Sequence, residues 1–164
     1  MNRGAGAKAA WHVASRQVLQ DLRQLFGSDA IERLPFEEGE VARATVLATF
    51  DACRRASTVS GRRFADKAQV RLFAGSEMAR HLDPDITIFL QDSERRGVYR
   101  SDRRSVLRHL VEILEYDGNC VFLSDGSGSA GVLLDLNADN VSSPYEVETW
   151  NAKSPTGVNS LADR

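Results

Sequence analysis

Apolar positions in this chain recur at helical spacing near its start and alternate with polar ones near its end. Trp11, Ser15, Val18, Leu19, Leu22, Leu25 and Phe26 repeat at roughly 3.6-residue spacing, which predicts an amphipathic helix stopped by Gly27. Leu34-Pro35 breaks the pattern. A second helix is predicted from Pro35 to about Ser57, with Glu37, Glu38 and Glu40 in the first turn, where the dipole favours acids. Ala42, Val46, Thr49, Phe50 and Cys53 mark one face of it. Val41, Ala44 and Leu47 widen that face, so this helix is expected to be largely buried. Ser60-Gly61 reads as its end.

Between Ala65 and Leu82 the period is mixed. Val70, Leu72 and Ala74 alternate, while Ala65, Ala68 and Leu72 fit a helix, and Gly75-Ser76-Glu77 reads as the entry of a short helix ending near Leu82. Ile86-Thr87-Ile88-Phe89-Leu90 is the clearest strand, and Gln91 to Arg100 reads as a polar loop. Asp102 can cap a helix carrying Val106, Leu107, Leu110, Val111, Ile113 and Leu114, with Asp117-Gly118 as its stop. Strands follow at Cys120–Leu123, Val132–Leu136 and Tyr145–Trp150, separated by Gly, Ser, Asn and Asp turns. The pattern predicts an α+β fold: N-terminal helices and one central helix on a small, mainly antiparallel sheet formed largely by the C-terminal half. Residues 1–8 read as a flexible N-terminus, 9–150 as a single domain and 151–164 as a loose polar tail.

Composition narrows the class. The 164 residues, 42% hydrophobic and 27% charged, suit one soluble domain with a real core, and no run is long enough for a membrane helix. No apolar stretch follows the basic start as a signal peptide would require. Cys53 and Cys120 are too few for a disulfide framework; read as buried and reduced, they point to a cytoplasmic protein.

Charge changes the picture most. The formal total of −2 hides a division along the chain: residues 1–110 carry 19 bases against 14 acids, residues 111–164 two bases against nine acids. Between Arg108 and Lys153 there is no Lys or Arg. Charge of one sign bears on partners and encounter rates rather than on fold.

No motif carries a reaction. Gly126, Gly128 and Gly131 match G-x-G-x-x-G, but the residues after them read as a strand, so the run reads as a hairpin turn. Asp135 to Glu146 has the ligand spacing of a calcium loop, yet its flanks lack the two helices, and an Asx-rich turn between strands explains it. His12, His81 and His109 have no partner at metal spacing, and Cys120 lies in the acidic segment, where a nucleophilic thiolate is disfavoured. No catalytic residue, metal or cofactor is therefore expected.

The plan resembles that of small bacterial immunity proteins, through its single α+β domain, acidic segment and lack of catalytic residues. The charge division and the missing chemistry point to a non-enzymatic module binding a basic protein through an acidic β-rich surface made by Asp125, Asp135, Asp139, Glu146 and Glu148, and the resemblance implies an inhibitor or immunity protein whose partner is a toxin. Glu146 and Glu148 alternate on a strand and so share a face. The alternative is a nucleic-acid or phosphate binder using Arg95, Arg96, Arg100, Arg103, Arg104 and Arg108. A small enzyme with an unrecognised site among the acids is the third reading, and no membrane association is expected.

Overall fold

The computed structural model describes residues 3–91, 96–137 and 139–153. Among these residues the helices are α1 (Arg3–Phe26), α2 (Phe36–Arg55), α3 (Lys67–His81), α4 (Arg103–Arg108) and α5 (Leu110–Asp117). The strands are β1 (Ile31–Arg33), β2 (Ser60–Phe64), β3 (Asp85–Leu90), β4 (Val98–Asp102), β5 (Cys120–Ser124), β6 (Ala130–Leu136) and β7 (Tyr145–Asn151). They form one sheet in the order β1-β4-β3-β5-β6-β7-β2, every pair antiparallel. The fold is α+β, with its sheet mostly from the C-terminal half and its two edges from the N-terminal half.

Alternation divides each strand between two cores. Ile86, Ile88, Leu90, Tyr99, Val121, Leu123, Val132, Leu134 and Val147 face α1, α3, α4 and α5, meeting Leu22, Met78, Val106 and Ile113. Phe89, Val98, Phe122, Leu133 and Trp150 face α2, meeting Val46, Phe50 and Cys53. Among the described residues, four helices therefore cover one face and α2 covers the other.

The local signals act as their chemistry dictates. The Asp66 carboxylate accepts from the Gln69 N–H at 2.9 Å, and that of Asp102 from the Ser105 N–H at 2.9 Å, each capping a helix. Gly118, at φ 76°, ends α5 in the left-handed conformation.

Several expectations need correction. The mixed segment before Leu82 is one helix, because the Asp66 cap starts it well ahead of Gly75. The expected loop up to Arg100 contains the start of β4, whose Val98 and Tyr99 are buried on opposite faces. Ser60-Gly61 opens a strand rather than a gap; β2 is an edge strand exposed along nearly all its length, so no apolar alternation announces it. With none of the described residues packed outside it, α2 is half solvent-facing: Val41 is 68% exposed, while Val46, Phe50 and Cys53 are buried. The helix α1 begins at Arg3, inside the segment 1–8 expected to be flexible, and β7 runs on to Asn151, the first residue of the expected 151–164 tail; from 154 onward that tail lies outside the described residues. No helix among the described residues is long and apolar enough to cross a membrane.

Candidate functional site

Register lays rows of side chains across the α2 face. One row runs Arg100, Thr87, Ser124, Gly131, Trp150. The next runs Val98, Phe89, Phe122, Leu133, Glu148. A third runs Cys120, Asp135, Glu146, Arg63. The middle is aromatic: Phe89 stacks on Phe122 at 4.7 Å, and Phe50 meets Phe122 and Trp150 edge-on. Among the described residues, polar side chains of this face lie in the two outer rows and at Glu148, the end of the aromatic row.

The divided charge largely closes on itself. Glu148 pairs with Arg54 at 3.4 Å and Glu146 with Arg63 at 3.1 Å. Glu115 pairs with Lys67, Glu112 with Arg71, and Asp117 with Arg96. In every one of these pairs the base comes from the basic segment and the acid from the acidic one. Among the described residues, Asp135 and Asp139 are the acids of that segment outside any ion pair.

The expected acidic surface separates accordingly. Asp125 does not belong to it: its buried carboxylate accepts from Ser127, Ser129 and, at 2.6 Å, the Lys153 ammonium. Burial alone pushes its pKa up, but these donors outweigh burial and hold it below the usual carboxylate range. It stands at the β5–β6 turn, the opposite end of the sheet from Asp135. Asp135 and Glu146 are cross-strand partners, with Glu148 further along β7. Burial, and then the Glu146 charge, raise the Asp135 pKa. These two residues also bound the calcium-like spacing, which therefore belongs to paired strands rather than to an ion-wrapping loop. Among the described residues no group of three or more His, Cys, Asp or Glu could hold a metal ion.

Between β6 and β7 the chain makes a braced turn. Asn140 Oδ1 accepts from the Ser142 hydroxyl and the Ser143 N–H, and Asn137 Oδ1 from the Asp139 N–H. Two backbone bonds, Asn137 N–H to Pro144 O at 2.8 Å and Ser143 N–H to Asn140 O at 3.2 Å, close it. On this turn Val141 is 90% exposed and Asp139 is exposed. Sequence reasoning passed over Val141, although its signal was present: a lone β-branched apolar residue among turn-formers.

The arginine cluster is dispersed. Arg96 binds Asp117, Arg100 binds Glu32 and Glu38, and Arg103 donates to the Leu82 carbonyl at the end of α3. Arg104 and Arg108 are exposed, and Arg95 lies outside the described residues. Cys53 is buried; the half-buried Cys120 thiol is pushed up to about 11 by burial and by Asp117 and Asp135. The structure therefore brings Asp135, Glu146 and Glu148 together, sets Asp139 on the adjoining turn and separates Asp125. No protein-family signature matches the chain, and no curated protein matches it.

Proposed function

We propose that this protein is a non-enzymatic interaction module that engages a basic protein through the β6–β7 end of its α2 face. The observation that carries the reading is the braced turn presenting Val141 beside Asp139, with Asp135, Glu146 and Glu148 on the adjoining strands. The hydrogen bonds among Asn137, Asp139, Asn140, Ser142 and Ser143 lower the entropy these residues lose on docking. Its apolar tip offers a contact that desolvates well, and the surrounding carboxylates favour a cationic rim. Arg54 and Arg63 do not cancel this preference. The two arginine side chains are 60% and 58% exposed while Glu148 and Glu146 are 17% and 28% exposed, so a partner's base can displace the arginine side of each pair from solvent.

The narrower form of the reading is an inhibitor or immunity protein that covers a cationic toxin, supported by the charge sign around a presented apolar tip. The two unpaired thiols fit a cytoplasmic setting. The test begins with capture of the partner from the cells that make the protein and its purification. Calorimetric titration then compares the native chain with Val141→Asp. A loss of affinity of about tenfold or more supports the reading, since a charge at the tip cannot be desolvated. Unchanged affinity refutes it.

A further inference from the structure

At the other end of the same face lies a cavity of about 180 Å³, between the first half of α2 and the sheet. Thr87 and Ser124, cross-strand partners, bring two hydroxyls to it from β3 and β5. Ser124 is fully buried, and its Oγ has no hydrogen-bond partner among the described residues. Such a hydroxyl carries a desolvation cost that a ligand atom can offset. Leu34 and Val46, both buried, supply an apolar wall. Arg100 and Glu38 also line the cavity, joined at 3.1 Å, with side chains 42% and 51% exposed.

The lining selects a ligand by charge and size. A simple anion drawn to Arg100 would meet Glu38, Glu32, which shares the same guanidinium, and Asp125, which also lines the cavity and is held by Lys153. A simple cation drawn to Glu38 would meet Arg100. A molecule bearing both charges satisfies both, and opening the Arg100–Glu38 pair then leaves neither side chain unmatched. A cavity of this volume holds roughly six to eight non-hydrogen atoms, on the scale of benzene in an engineered cavity of similar size.

We propose that this cavity binds a small zwitterion of the α-amino-acid class. Its carboxylate pairs with Arg100, its ammonium with Glu38, and its short side chain lies against Leu34 and Val46, with a polar atom meeting Ser124 Oγ. The inference is independent of the partner surface at the other end of the sheet.

The test is titration of isotope-labelled protein with L-alanine and with L-serine, following the amide resonances of Ser124, Gly126 and Gly128. Acetate and ethylammonium are titrated separately as single-charge probes. The expected result is saturable shifts at these amides, with either single-charge probe at least about tenfold weaker. Ser124→Ala weakens amino-acid binding by about three- to tenfold, the worth of one hydrogen bond, while the protein stays folded because an unsatisfied hydroxyl has been removed. Ala42→Leu, which fills the helix side of the cavity, abolishes binding. Absence of shifts overturns the proposal, as do equal shifts with acetate or ethylammonium alone. Should Ala42→Leu fail to fold, Ser124→Ala decides, and undiminished binding by that variant also overturns the proposal.

Discussion

A single methyl group added at Gly131 should cost this protein a large part of its stability. Gly131 sits opposite Trp150 in the β6–β7 pairing, and a Cβ built on it would lie 2.1 Å from the ring atoms Cη2 and Cζ2 of Trp150. It would also lie 2.6 Å from the carbonyl oxygen of Leu123 on the neighbouring strand. Carbon atoms rest at about 3.5–4.0 Å, so the indole must retreat by more than about 1 Å. It has little room. Trp150 is 2% exposed, packs edge-on against Phe50 at 5.2 Å, and its Nε1–H donates to the Gly128 carbonyl at 3.4 Å. The carbonyl is held in the β5–β6 ladder and cannot yield without breaking it.

Overpacking of this kind costs about 1–3 kcal/mol, and about 3–5 kcal/mol if the indole is expelled from the core. Urea denaturation of Gly131→Ala, followed by far-ultraviolet circular dichroism, measures the loss. The control is the same substitution in a Trp150→Leu background, completing a double-mutant cycle. If the clash with the ring is the cause, Gly131→Ala costs much less there. A loss below about 0.5 kcal/mol in the native background would refute the packing argument, and an equal loss in both backgrounds would place the clash at the Leu123 carbonyl rather than at the indole.

Two further substitutions test the charged groups at either end of the α2 face. Asp125 has a folded-state pKa below its unfolded value, so its contribution is present at neutral pH and is lost as pH falls through the folded value. Asp125→Ala should cost about 1.5–3 kcal/mol at pH 7 by urea denaturation, with the gap narrowing in acid; a pH-independent gap contradicts this account. Asp135 has the opposite sign: its raised pKa means that the ionised form costs stability at neutral pH, and that this cost fades as pH falls through the folded value. Asp135→Asn should therefore stabilise the protein at pH 7 by about 0.5 kcal/mol after solvent screening, seen as a higher Tm, and give no gain in acid. A lower Tm at pH 7 would show that the carboxylate is compensated by Arg63.

What sequence reasoning recovered and missed follows from what each element buries. The segments with one-sided apolar spacing or a continuous apolar run, α1, β3 and β5, were readable because their pattern is the cause of their packing, whereas the single helix expected from Asp102 to Asp117 divides at His109 into α4 and α5. The edge strand β2, Ser-Gly-Arg-Arg-Phe, was not, since both its faces meet solvent and its existence depends on pairing with β7. Gly131 illustrates a different limit. Its role is set by Trp150, nineteen positions away, and a glycine motif read locally suggests only a turn. The same limit applies to charge. The acidic and basic segments were evident in the sequence, but the fold alone brings Arg54 and Arg63 beside Glu148 and Glu146, leaving Asp135 and Asp139 outside ion pairs among the described residues. The candidate surface is consequently smaller than the acidic segment and is centred on Val141, a residue that charge arguments do not single out.

The most direct test of that surface is the association rate of the purified partner, measured by stopped-flow mixing at low and high salt. The comparison is between the native chain and a variant carrying Asp135→Lys, Asp139→Lys, Glu146→Lys and Glu148→Lys. Steering by this acidic end predicts a rate that falls by about tenfold or more at low salt in the variant, together with a flattened or inverted salt dependence. Equal rates and equal salt dependence for the two chains would contradict the claim that this surface meets a basic partner.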